Sequence, residues 1–552
     1  MAKKVYFKEK AQKGIRYGVN LIADAVKVTL GPRGRYVGLQ KKYGTQHMTK
    51  DGVTVAKEIE SADPLVDFAV KTVREASSKT ADICGDGTTT ATLLTQALYN
   101  HGLKYVTSGA NAVSIQRGLQ KVARRVIEHI RSNARQITAD DIQQLEYVAT
   151  ISANNDTEMG KKIAEVVAKV GKEGVVTVEE YQGTGLLIDY VEGMQIDRGY
   201  VSPYMVTDSS RMEAVVEDAY VLVTDQKISS IKTILPIIEK MMEAGCKNLV
   251  IVAEDLEGDA LTTLVVNKLR GVLNVVAVKA PGFGDRKKEL LQDIAVLTGA
   301  TVISEELGRK LDETVDLSDL GRVRRFVADK DNSIFVEGKG DPSKIKERIA
   351  QIRSVLENTT SEYDREKLQE RLAKLSGGVA VVRVGAPTEV EMKEIKDRID
   401  DAIHATKAAL DGGIVSGGGV AYLNAIRILD DVENELNGDE KFAVDIMRKA
   451  LREPMLQILV NAGHDSPESV VTSSFEAGDG IGYNALTNEG NINMFDAGII
   501  DPTKVVISVI ENATSVAGQL LATQVVVIDL PENNSKSSSG AGSDDEDEDM
   551  MM

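Results

Sequence analysis

The run Gly85-Asp86-Gly87-Thr88-Thr89-Thr90 opens directly onto the apolar helical stretch Ala91 to Tyr99. Two glycines let a backbone turn tightly and approach a ligand closely. The threonine N–H groups fall at the mouth of a helix, where unpaired donors and the macrodipole favour an anion. Asp86 adds a hard carboxylate, suited to Mg²⁺ on a phosphate rather than to the phosphate itself. The combination reads as a nucleoside triphosphate site. The chain contains no GxxxxGK[ST] run, so such a nucleotide needs another kind of pocket. Thr29-Leu30-Gly31-Pro32-Arg33-Gly34 and Thr49-Lys50-Asp51-Gly52 are two more glycine-containing turns after regular segments. Each alone is also the signature of a plain structural turn, and three in one helical region favour a shared role.

A second constellation lies on a helix expected over Val390 to Leu410. Thr388 and Glu391 have the spacing of a capping box, and Gly412-Gly413 can close the C-terminus. Met392, Ile395, Ile399, Ile403 and Leu410 fall on one face. Asp401 is nine residues from Met392, hence about 180° round the helix at ~100° per residue. It points away from the buried stripe. A solvated helical carboxylate is the ordinary reading, and a carboxylate on an arm reaching another domain is the functional one.

The elements that must position these groups belong to more than one domain, because 552 residues exceed a single core and three domains is the natural expectation. Apolar (42%) and charged (27%) fractions are ordinary. Trp is absent and the net charge is −18, which disfavours nucleic acid both as a stacking partner and as a polyanion. Six of the acids form one run, Asp544 to Asp549. No stretch reads as long enough to span a membrane, and the N-terminus has basic residues without an apolar h-region. Cys84 and Cys246 make no disulfide framework and no zinc-like spacing appears, so a cytosolic, cytoplasmic chain is expected. The absence of a transit peptide favours a bacterial cytosol over an organelle matrix.

The first third reads helical: Ile15, Val19, Ile22 and Val26 make an amphipathic stripe that should stop near Gly31-Pro32. Helical pattern returns through Ile115 to Ile130. In the middle, Tyr220 to Val223, Leu249 to Ala253 and Val275 to Val278 are short β-branched runs separated by helices near 231–244 and 258–271. Such alternation implies a partly parallel sheet with helices packed on it. The last third, from about Ile414 to Ala522, is helical again, and Pro531 opens a Ser/Gly/Asp/Glu tail expected to be disordered. Similar ends around a different middle suggest a discontinuous domain carrying an insertion. Gly193 and the pair Gly377-Gly378 sit where the character changes and read equally as hinges or as turns.

The middle region has apolar residues to spare. On Gly258 to Gly271, Leu261, Leu264, Val265, Val266 and Leu269 spread over about 200° at ~100° each, wider than packing on a sheet requires. Ile234, Leu235, Ile237, Ile238, Met241 and Met242 crowd the neighbouring helix. Surplus of this kind is either a deeper core or an exposed binding patch, and methionines make a patch adaptable.

Together these runs resemble the group I chaperonins, the GroEL-type family of bacteria, mitochondria and plastids. The resemblance runs from about Ala11 to Pro531. It rests on Val28 to Pro32, Thr49 to Val53, Gly85 to Thr90, Val191 to Gln195, Asp197 to Tyr200, Ala280 to Arg286, Tyr363 to Arg371, Gly417 to Ala421 and Asp501 to Val505. It implies a multi-domain fold. A mostly α-helical equatorial domain would take residues 1–134 and 412–530, and a small α+β intermediate domain 135–191 and 379–411. An inserted α/β apical domain would take 192–378, with 531–552 as the tail.

The resemblance further implies an ATPase that binds unfolded polypeptides and encloses them under a GroES-type lid co-chaperonin. The assembly would be a homo-oligomeric ring of seven subunits, usually two rings stacked back to back. ATP, Mg²⁺ and K⁺ would be the cofactors. By motif, Thr29, Leu30, Gly31, Pro32, Lys50, Gly87, Thr88, Thr89, Thr90, Gly418, Asn484, Ala485, Leu486 and Asp501 would surround ATP. Asp86 would also bind Mg²⁺, and Asp401, assisted by Asp51, would align the attacking water. Tyr200, Tyr204, Met205, Leu235, Ile238, Leu261, Val265 and Val266 would form the surface for substrate and co-chaperonin. Gly193, Gly377 and Gly378 would be the apical hinge.

The chain departs from the family pattern at Tyr36, usually Asn, at Asp67 to Thr72, and at Cys84, where alanine is common. Its acidic tail ends in Met550-Met551-Met552 rather than in Gly-Gly-Met repeats. An ATP-independent paralogue that only holds unfolded chains is the rival reading. Retention of Asp51, Asp86 and Asp401 favours a working cycle. A small-molecule kinase lacks a second polar substrate pocket.

Overall fold

Ile15, Val19, Ile22 and Val26 are completely buried, and the helix they stripe, Lys8–Val26, is the first of a stacked set. It ends in a single 3₁₀ turn, Lys27–Thr29, and then Gly31 takes a left-handed φ of 85°, a conformation that favours glycine. The computed structural model describes residues 3–40, 47–171, 174–209, 211–306, 308–311, 315–359 and 361–529. The acidic tail expected to be disordered lies outside them.

Three large bodies of buried apolar side chains, joined by two smaller clusters, organise these residues. The first joins both ends of the chain. Helices Lys8–Val26, Pro64–Cys84, Thr88–Thr107 and Ala112–Ser132 pack with Phe442–Ala450 and Thr503–Ala522. Thr503–Ala522 runs through the middle, against three of the N-terminal helices. It corrects the expectation that no segment has the length of a membrane span, for by length and composition it is apolar enough to cross one. Most of it is buried, and a helix at the centre of a helical core must be apolar nearly all round. Strand Lys3–Phe7 pairs antiparallel with Val525–Asp529, bringing Lys3 opposite Asp529.

The second body is the α/β middle. Its sheet has six strands in the order Asn274–Lys279, Asn248–Ala253, Ala214–Val223, Gly321–Ala328, Ser333–Gly338, Gly193–Ile196. The first three are parallel, as their alternation with helices requires, and the rest antiparallel. Phe326 and Phe335 meet edge to face in its core. The third body lies between the other two. Strand Val379–Gly385 runs parallel to Val175–Glu180 and antiparallel to Gly185–Val191, with the long helix Glu389–Gly412 packed beside them. The fold is therefore mostly helical and multi-domain, with mixed sheets.

The chain passes between the second and third bodies twice, side by side. Val379 pairs with Val191, so the two crossings adjoin. A Cβ on Gly193 would lie 2.4 Å from the Phe335 carbonyl oxygen and 2.5 Å from Val379 Cγ2. Gly378 has φ +64°. Gly377 lies on the αR side of the helix end.

Candidate active site

The glycine turns converge. Gly85 (φ 69°) caps Pro64–Cys84 in the left-handed region, and Gly87 (φ 84°) caps the start of Thr88–Thr107. A Cβ at Gly85 would strike His404 Cβ at 2.3 Å, and one at Gly87 would strike Val505 Cγ1 at 2.6 Å. The loop is thus pressed between the 389–412 and 503–522 helices, which only glycine permits. The first backbone bond of the following helix runs from Ala91 N–H to the Gly87 carbonyl at 2.9 Å. The amides of Thr88, Thr89 and Thr90 therefore have no intrahelical acceptor and face the cleft with the positive end of the dipole behind them.

That cleft has a volume of about 480 Å³, the size of an ordinary ligand site. Its walls bring together Thr29 to Pro32, Lys50, Asp51, Asp86 to Thr90, Asp401, Gly418, Asn484 to Leu486 and Asp501. These are all the residues that the sequence picks out for nucleotide, metal and catalysis, gathered from seven separate stretches of chain. Thr29 Oγ1 donates to the Val26 carbonyl at 2.9 Å and lies 3.4 Å from Thr89 Oγ1, joining two turns. Gly52 makes the close approach of the third turn possible, since a Cβ there would fall 2.2 Å from Thr89 Oγ1. Lys50 rests its ammonium 4.9 Å above the Tyr36 ring. Asn484 Oδ1 accepts the Leu486 amide at 3.0 Å, and Arg33 donates to the Leu486 carbonyl at 3.0 Å, which fixes the far lip.

Six carboxylates face or flank the cleft: Asp51, Asp86, Glu394, Asp397, Asp401 and Asp501. Asp86 accepts from the Gly87 amide and, at 3.2 Å, from Ser152 Oγ. Burial nevertheless raises its pKa, and the charge of Asp51 adds to the rise. Asp401 is raised well above the usual carboxylate range, first by burial and then by Asp51, Asp86, Asp400 and Asp397. Burial, with Asp86, pushes Asp501 up to about 7. Burial takes Asp397 to about 6 although Arg211 opposes the rise. Crowded carboxylates that repel one another around a helix N-terminus fit a divalent cation bridging to an anionic ligand. Asp86 stands immediately before the free amides of Thr88 to Thr90, so an ion held by its carboxylate would lie beside an anion bound there.

Asp401 comes from the helix Glu389–Gly412, begun by Thr388, whose hydroxyl accepts the Glu391 amide at 3.2 Å. The opposite face buries Ile399 and Ile403 and packs Met392, Ile395 and Leu410. That leaves Asp401 toward the cleft. Asp51 is differently employed. It caps the short helix Gly52–Glu58, with Oδ1 accepting Val53 N–H at 3.0 Å and Oδ2 accepting Thr54 N–H and Oγ1 at 2.8 and 2.6 Å. Both of its oxygens accept hydrogen bonds from the helix it caps, and its charge adds to the acidic crowding of the cleft.

Several cleft residues carry no local sequence signal. Ser152 orients Asp86 from the end of a helix, and Ile458, Tyr483 and Ile499 provide apolar walls. Tyr483 stands edge-on to His464 at a centroid distance of 5.4 Å. Only the tertiary fold assembles them.

The residues expected to meet a polypeptide lie elsewhere, on the six-stranded body. Tyr204 (67%), Leu235 and Val266 are exposed. Tyr200, Ile238, Leu261 and Val265 are half-buried against the core. Met205 is a correction: it is wholly buried, and its sulfur accepts the Ala277 amide at 3.2 Å. In the one-turn 3₁₀ helix Pro203–Met205, successive side chains are about 120° apart, so Tyr204 faces out while Met205 turns in. On Gly258–Leu269 the two readings divide along one helix. Ala260 and Leu264 are core, while Val266 and Leu269 (68%) stand in solvent. Phe283, 82% exposed, is a further apolar side chain in solvent on this body, with the Arg198 guanidinium 5.5 Å over its ring.

The glycine-pinned phosphate-type loop, the acidic helix leaning over it and the separate apolar face are spread over nearly the whole chain. So is the match to the family model described as the TCP-1/cpn60 chaperonin family, which spans residues 22–531. This chain therefore belongs to the TCP-1/cpn60 chaperonin family.

Proposed function

We propose that the chain is an ATP-hydrolysing chaperonin of the group I, GroEL-like type, which binds unfolded polypeptides and promotes their folding. The observation that carries the reading is the cleft itself. Phosphate-binding amides, a metal-type carboxylate and a carboxylate on a helix from another body face one volume. Under this reading residues 1–134 and 412–530 form the equatorial domain, 135–191 and 379–411 the intermediate, and 192–378 the apical.

The amides of Thr88, Thr89 and Thr90 hold phosphate oxygens, and the apolar walls around Ile458 and Tyr483 hold the base. Asp86 would hold Mg²⁺, which supplies neutralisation of phosphate charge when bound. Asp401 accepts a hydrogen bond from the attacking water and fixes its line of approach. Burial and the neighbouring carboxylates raise its pKa, and a cation held beside it would lower it again toward the ionised form that accepts such a bond. Catalysis then consists of positioning and electrostatics, as expected for phosphoryl transfer. Tyr204, Leu235, Val266 and their half-buried neighbours present adaptable apolar area to an unfolded chain and to a GroES-type lid. Gly193, Gly377 and Gly378 let that surface turn. Seven-membered rings, stacked in pairs, belong to the same proposal, as do K⁺ as a further cofactor and a cytoplasmic setting.

The test is ATP turnover with and without a denatured protein, for the wild type and for Asp401→Ala. Loss of roughly 10²-fold or more in kcat, with ATP affinity kept within a few-fold, is expected, because the interaction matters mainly in the transition state. Turnover within twofold of wild type removes Asp401 from the mechanism. Client binding without any ATP turnover in the wild type supports the ATP-independent holding role instead.

A further inference from the structure

The body packing of the 389–412 helix buries its apolar face, but what holds its acidic face over the cleft comes from the six-stranded body. Arg211 extends from the loop between Pro203–Met205 and strand Ala214–Val223. Its Nη2 forms an ion pair with Asp400 and lies 3.6 Å from Asp397 Oδ1. Its Nη1 lies 3.9 Å from Glu213 on its own loop. The side chain is only 21% exposed, so the cluster is largely shielded from solvent.

The geometry selects this residue for three reasons. Asp397 and Asp400 are one turn apart, and Asp397 and Asp401 are spaced i, i+4, so one guanidinium grips the ridge that carries Asp401. Asp397 itself lines the cleft. The loop presenting Arg211 is pinned: Thr207 and Asp208 both donate to the Glu213 carbonyl at 2.9 Å, Glu213 donates back to Asp208 at 3.1 Å, and Val215 donates to Thr207 Oγ1 at 2.8 Å. A segment held by hydrogen bonds between 207–208 and 213–215 in one body thus meets a helix in another. Without Arg211, Asp397 and Asp400 would repel Asp401 and the Asp51 and Asp86 carboxylates below, and the helix would lean out.

We propose that Arg211 is a positioning residue: through Asp397 and Asp400 it holds Asp401 in the cleft, and so ties the orientation of the polypeptide-facing body to hydrolysis. The catalytic half of this statement rests on the reading of Asp401 given above, and the structural half does not. The fork geometry of arginine serves two carboxylates at once, which a lysine ammonium does only in part.

Hydrogen exchange on the assembled, nucleotide-free protein tests the structural half. Arg211→Ala should accelerate exchange in peptides covering 389–404 by about threefold or more, as loss of a shielded ion-pair network allows, and leave 503–522 unchanged. Steady-state ATP hydrolysis tests the other half. kcat should fall about three- to tenfold with KM within twofold, because the loss is felt where Asp401 acts. Arg211→Lys should recover part of both effects, and Arg211→Asp combined with Asp400→Arg should recover more than Arg211→Asp alone. If the double variant does not assemble, the lysine variant decides. Unchanged exchange in 389–404 overturns the proposal, and so does faster exchange with unchanged kcat. Should the wild type hydrolyse no ATP, the functional reading fails, and the exchange result alone decides whether Arg211 holds the helix.

Discussion

Asp501→Asn should make the nucleotide-free protein more stable, and only where the native carboxylate would be ionised. Burial and the charge of Asp86 push Asp501 up to about 7 in the folded chain, against about 3.9 for a free aspartate. With its folded pKa above its unfolded pKa, the residue binds more proton when folded. Its ionisation opposes folding not at all below about pH 4, progressively between about pH 4 and 7, and in full above that window. A shift of three units corresponds to ~4 kcal/mol at 1.36 kcal/mol per unit. The side chain keeps a partly solvent-facing side, which reduces the expected cost to ~1–3 kcal/mol. Asparagine has nearly the same shape and no charge, so it removes the cost. Thermal melting at pH 8 without nucleotide or Mg²⁺ should rise by about 2–6 °C, and the gain at pH 5 should be less than half as large. An equal gain at both pH values, or a lower midpoint at pH 8, refutes the reasoning.

Two further perturbations separate site from scaffold. Asp86→Ala should abolish the Mg²⁺ dependence of nucleotide binding, read as ATP affinity across Mg²⁺ concentrations; an unaltered dependence would mean that Asp86 is a turn residue held by Gly87 and Ser152. Val266→Ser should weaken capture of a denatured protein by ~1 kcal/mol, scaled from a side chain already 38% exposed, while leaving melting within a degree or two. Leu264→Ala, two residues away on the opposite, buried face at 1% exposure, should instead cost the fold ~2–4 kcal/mol and lower melting first. If Val266→Ser melts early and Leu264→Ala does not, the assignment of faces on that helix is inverted.

The parts legible in the sequence were those whose physics is local. Glycines at 85 and 87 announce a left-handed turn before a helix, and the structure needs both. Thr388 and Gly413 bracket the helix that carries Asp401, and the period of Met392, Ile399 and Ile403 puts that carboxylate on the correct side. What was illegible depended on packing. Met205 and Tyr204 are neighbours with opposite fates, decided by a single 3₁₀ turn against Ala277. Asp51 follows a lysine in a glycine turn, and that it also caps the next helix shows only in the fold. Ser152, Tyr483 and Arg211 have no distinguishing neighbours at all; they matter because of what lies across from them. Thr503–Ala522 shows the reverse error, where a core helix has the hydropathy of a membrane span.

The pairing of Lys3–Phe7 with Val525–Asp529, and the passage of Thr503–Ala522 through the first core, govern how this chain can be made. The helices up to Ser132 emerge early, but the helix that covers their apolar faces ends about 390 residues later, at Ala522. At ~5–20 residues per second that is roughly 20–80 s of waiting on the ribosome. The six-stranded body, complete within 193–376, can close meanwhile. The N-terminal helices cannot. During its own synthesis the protein exposes for a minute the kind of unsatisfied apolar surface that its finished form is proposed to receive from others, so each new subunit is itself a candidate client of those already assembled.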